Sequence, residues 1–100
     1  MTMTFTVNEI AAMKVCLNYD TRAMQLDDNF SNGGVGDLAN ALGWNMHQIG
    51  GLIASLEKKG VVWIDDRQGD WPNCLTKYHI VWLTEKGVNA IFDIIEKETA

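Results

Sequence analysis

The stretch from Gly36 to Gly60, GDLANALGWNMHQIGGLIASLEKKG, constrains the fold more than any other part of this chain. It reads as two short helices joined by a tight turn. Leu38, Ala39, Ala41 and Leu42 supply small and apolar contacts on the first helix. Gly43 suits the turn, where a positive φ would force a Cβ into the backbone. Asn45 is placed to cap the second helix by accepting a backbone N–H bond. In that helix Ile49, Leu52, Ile53 and Leu56 recur at i, i+3, i+4 and i+7, a single stripe for burial. On the opposite side stand His47, Gly51, Ala54, Ser55 and Lys58, small and polar, so another surface can come close. Two helices arranged this way have the design of a major-groove reader.

The 100 residues suit one domain, 1–100, and 47% hydrophobic content is enough for a core. The apolar runs are too short to span a membrane. The first residues show neither a basic region nor an apolar stretch, so a cytoplasmic protein is expected. Cys16 and Cys74 lack metal-ligand spacing and the density of a disulfide scaffold, and read as free thiols. No metal, cofactor or catalytic constellation is expected. The two histidines, His47 and His79, are far apart, and Gly33-Gly34 lacks the strand and lysine of a phosphate loop.

A net charge of −5 speaks against a general nucleic-acid binder. The distribution matters more. From Asn45 to Leu83, Lys58, Lys59, Arg67 and Lys77 balance Glu57, Asp65, Asp66 and Asp70. The remainder sets four cations against nine acids and holds the whole −5. A surface that faces phosphate therefore belongs in the middle of the chain.

Thr6-Val7-Asn8-Glu9 is a capping box, and a helix follows with Ile10, Met13 and Leu17 inward. Asn18-Tyr19-Asp20 stops that helix, or Met24 extends its stripe. Asp27 to Gly34 reads as a loop, with Phe30 tucked against the core. Val61-Val62-Trp63-Ile64 is a strand. Asp65 to Asn73 breaks it, and Tyr78 to Leu83 forms a second strand with His79, Val81 and Leu83 on one face. Thr84 caps a last helix with Val88, Ile91, Phe92 and Ile95 inward. The expected class is α+β, mainly α: three helices, a hairpin with a long tip, and a C-terminal helix.

Leu38-Ala39, Leu42-Gly43, Leu56-Glu57-Lys58-Lys59-Gly60-Val61-Val62 and Leu83-Thr84-Glu85-Lys86-Gly87 resemble the reading head of winged helix–turn–helix transcriptional regulators of the MarR and PadR type. The resemblance covers about half the chain. It implies a dimeric, cytoplasmic regulator that binds double-stranded DNA without enzymatic activity. Carried over by position, it implies base contacts from Asn45, His47, Gln48 and Gly51 and a wing contact from Arg67; Ser55 on the small, polar stripe and the cations Lys58, Lys59 and Lys77 complete the expected DNA-binding set. The reading helix carries Gly50-Gly51 and Ser55 where the family usually carries cations. The wing is long and acidic, with Asp65, Asp66 and Asp70 around Arg67. These departures suit a different class of function, a protein-interaction module binding through Trp71, Asp65, Asp66 and Asp70. The individual residues keep two readings. His47 and Gln48 are base contacts or solvated helix residues. Gly50 and Gly51 admit the first helix of the motif or a partner's backbone. Arg67 enters a minor groove or joins a surface ion pair. Trp71 is a partner anchor or folds back over the hairpin, while Trp44, Trp63 and Trp82 read as core or half-buried residues.

Overall fold

The computed structural model describes residues 4–28, 32–65 and 79–98. The elements are α1 (Val7–Val15), α2 (Arg22–Asp28), β1 (Asn32–Gly34), α3 (Val35–Leu42), α4 (Met46–Lys58), β2 (Val62–Asp65), β3 (Ile80–Leu83) and α5 (Glu85–Glu98). The class is α+β and mainly helical, with one small antiparallel sheet in the order β1-β3-β2.

The first helix begins at the expected capping box. Thr6 Oγ1 accepts the Glu9 N–H, and Glu9 Oε1 accepts the Thr6 N–H. It ends at Val15, so Met24 does not extend it; Met24 lies exposed on a separate helix, α2. Gln25 explains the break. Its buried Oε1 accepts the N–H groups of both Asn18 and Tyr19, which holds the connection in a turn. Arg22 pairs with Asp93 and Glu96 and ties α2 to α5.

The stretch expected as a loop from Asp27 to Gly34 holds the end of α2 and all of β1. Asn-Gly-Gly has no intrinsic strand preference. Pairing with β3 makes the strand, with Asn32 opposite Trp82 and Gly34 opposite Ile80. Gly33 is buried against α1, where an added Cβ would come 3.3 Å from Cys16 Sγ. Phe30 lies outside the described residues.

The helix pair forms as its sequence predicts. Gly43 takes φ 66°, and its N–H bonds the Ala39 carbonyl. Ile49, Leu52, Ile53 and Leu56 are all buried. They share one core with Ala12 and Met13 of α1, Cys16 just after it, Val35 and Leu38 of α3, Val61, Val62, Val81 and Leu83 around the sheet, and Val88, Ile91 and Phe92 of α5. Thr84 caps α5 by accepting the Gly87 N–H at 3.0 Å. Val81 and Leu83 share the buried face of β3, which begins at Ile80 rather than Tyr78, and His79 just before it is buried as well. The opposite face carries Trp82, half-buried, and Trp63, which is 47% exposed rather than core. Cys16 is a free thiol whose burial pushes its pKa up to about 12.

Candidate nucleic-acid interface

Helix α4 offers a surface because its core stripe uses only one side. His47, Gly51, Ala54 and Lys58 follow one another at intervals of three and four, and all are exposed. At 1.5 Å per residue the row runs about 16 Å from His47 to Lys58. The B-DNA major groove is about 12 Å wide, so a row of this length is comparable with the groove's dimensions. Lys58 makes no ion pair among the described residues.

Gly51 stands in the middle of that row. An ideal Cβ there meets nothing within 4 Å. The packing of the described residues therefore does not account for a glycine that costs its helix about 1 kcal/mol relative to alanine. Gly50 is half-buried.

At the start of α4, Asn45 and Gln48 form a reciprocal capping box. Asn45 Oδ1 accepts the Gln48 N–H at 2.9 Å, and Gln48 Oε1 accepts the Asn45 N–H at 3.1 Å. Both side chains are thus oriented by the helix start, and each keeps an amide NH2 as donor. Together with the partial positive charge of the helix N-terminus, these donors suit anionic or acceptor-rich partners.

Ser55 and Lys59 lie elsewhere. They sit one turn apart on the flank of α4 that faces α1, roughly a quarter-turn from the His47 row. Both bond Glu9, which is 2% exposed. Ser55 Oγ donates to Glu9 Oε2 at 2.9 Å, and Lys59 Nζ donates to Oε1 at 2.8 Å and Oε2 at 3.0 Å. Lys59 also donates to the Thr4 carbonyl at 2.9 Å and lies 5.0 Å over the Phe5 ring. Burial alone would raise the Glu9 carboxyl. The hydrogen bonds from Lys59, Thr6 and Ser55, with the attraction of the ammonium, outweigh it and hold the group below its usual 4.5.

The structure thus sets His47, Gly51 and Lys58 in one exposed row, leaves Asn45 and Gln48 exposed at the N-terminal end of α4, and ties Ser55 and Lys59 to α1. Asp65 ends β2, on the same sheet face as Trp63. Arg67, Lys77, Asp66, Asp70 and Trp71 lie outside the described residues. Sequence reasoning missed Glu9 as a partner of α4. Its capping-box role is legible from Thr6-Val7-Asn8-Glu9, but Ser55 and Lys59 are 46 and 50 positions away.

Among the described residues no group of three or more His, Cys, Asp or Glu could hold a metal ion, and no helix is long and apolar enough to cross a membrane. No protein-family model and no curated protein matches the chain.

Proposed function

We propose that this chain is a winged helix–turn–helix regulator that binds double-stranded DNA, with α4 in the major groove and the β2–β3 connection as the wing beside the backbone or minor groove. The order of elements supports this: a small strand before the helix pair, then the pair, then two strands with a long connection. The observation that carries the reading is Gly51. It keeps the centre of the outer face of α4 bare where nothing among the described residues requires it.

In this reading His47 and Gln48 reach base edges, Gly51 allows close approach, and Lys58 meets phosphate. The protein acts as a homodimer through α1 and α5. Val7 is 82% exposed there, beside a hollow of about 240 Å³ lined by Ile10, Ala11, Lys14 and Glu98. No chemistry on the DNA is needed, and regulation follows from occupancy of the site.

The test is selection from a random duplex library, followed by fluorescence anisotropy on the enriched sequence. His47→Ala and Gln48→Ala should each relax sequence preference, at about 1–3 kcal/mol for a well-made base contact. Lys58→Ala should weaken binding evenly across sequences. Failure to enrich any sequence, with no anisotropy change at low salt, contradicts the reading.

A second reading is favoured by Trp63. A tryptophan 47% exposed on the outer sheet face, near Asp65, is the kind of residue that anchors a protein partner. In that case Trp63→Ala abolishes partner capture and the α4 variants leave it intact.

A further inference from the structure

The buried Glu9 carboxylate joins α1 to the helix that presents the reading surface. Both of its oxygens are occupied. Oε1 accepts from the Thr6 N–H and from Lys59, and Oε2 accepts from Ser55 and from Lys59. The Lys59 ammonium is occupied as well. It has three protons, and it has three acceptors: the two Glu9 oxygens and the Thr4 carbonyl.

Resting on the DNA-binding function proposed above, we infer that Glu9 is a positioning residue of the reading surface. Its carboxylate fixes the rotation of α4 against α1 through Ser55 and Lys59, and it withholds Lys59 from phosphate so that Lys58 makes the contact. Two points of attachment one turn apart set a helix's rotation as a single bond cannot. Withholding follows from the same geometry. For Lys59 to reach a phosphate it must leave a carboxylate that is 2% exposed, and an unpaired buried charge is strongly unfavourable. Lys58, one position earlier, has no such tie. Two adjacent lysines that look alike in sequence thus have different work.

The salt dependence of DNA binding separates this role from a merely structural one. Each phosphate contact contributes about −0.9 to the slope of log K against log salt. The experiment is anisotropy titration of the selected duplex across a salt series, with each variant first shown to be folded by circular dichroism. Lys58→Met should make the slope shallower by about 0.9 per subunit. The double variant Glu9→Gln/Lys59→Met should keep the wild-type slope. Glu9→Gln alone, close in shape and without the charge, should release Lys59 and steepen the slope by up to about 0.9 per subunit. This single variant keeps the test available should the double variant not fold. A double-variant slope as shallow as that of Lys58→Met overturns the role, as does an unchanged slope in Glu9→Gln. If the wild type binds no duplex at any salt, the DNA reading falls and takes this role with it. If the wild type binds and only these slopes disagree, the positioning role alone falls.

Discussion

Trp63 and Trp82 face each other directly across β2 and β3, their rings 9° from parallel and their centroids 5.5 Å apart. A cross-strand pair of this kind stabilises a short sheet at the point where the two strands emerge from the core. Aromatic pairs contribute about 0.5–1.5 kcal/mol beyond their area. Trp63→Ala should therefore lower stability by about 1–2 kcal/mol in urea unfolding, and the exciton signal of two stacked indoles in circular dichroism should vanish. An unchanged spectrum would show that the rings do not stack in solution.

Acid should weaken the α1–α4 joint in a defined direction. The folded-state pKa of Glu9 is lowered, so its contribution is fully present above the unfolded value of about 4.5 and is lost as pH falls through the folded value. Wild-type stability should decline below about pH 4.5, while Glu9→Gln shows a flatter profile there. At neutral pH, Lys59→Met should cost about 1.5–3 kcal/mol, because it leaves a buried carboxylate short of its charged donor. Chemical unfolding across a pH series checks both.

Two glycines should respond in opposite ways. At Gly87 an added Cβ would lie 2.1 Å from the Val61 carbonyl oxygen, so Gly87→Ala must displace backbone and should strongly destabilise the protein. At Gly51 the space is open, and Gly51→Ala should raise stability by up to about 1 kcal/mol. Under the proposed function the same change should weaken DNA binding, since it adds a methyl to the outer face of α4. Thermal unfolding and anisotropy on the same samples measure the two effects. A Gly51→Ala protein that gains stability and keeps its affinity would leave the glycine unexplained by DNA.

Association through α1 and α5 makes its own prediction. Val7 is exposed and Ile91 is fully buried. Val7→Asp should give a folded monomer with stability within about 0.5 kcal/mol of the wild-type subunit, whereas Ile91→Asp should unfold the chain. Sedimentation of the wild type should show a dimer at micromolar concentration. A monomer under those conditions contradicts the proposed assembly.

The legible parts of this fold are those where period and local chemistry agree. The stripe Ile49, Leu52, Ile53 and Leu56, the turn at Gly43, and the caps at Thr6, Asn45 and Thr84 all follow from residues within one or two turns of each other. The strand β1 was not legible, because Asn32-Gly33-Gly34 becomes extended through partners on β3, about 50 residues away. Trp63 reads as a sheet residue, and only strand register places it on the outer face beside Trp82. Lys58 and Lys59 carry the same charge in sequence. Their separation into an exposed side chain and one tied to a buried carboxylate depends on Glu9, on another helix.

Mapping amide chemical shifts of the labelled protein as the selected duplex is added tests the central claim most directly. The account predicts the largest changes at Asn45, His47, Gln48, Gly51 and Lys58, with Ser55 and Lys59 moving less and the exposed side of α5 unmoved. Changes confined to α5 or to the Trp63–Trp82 face, with α4 silent, would contradict it.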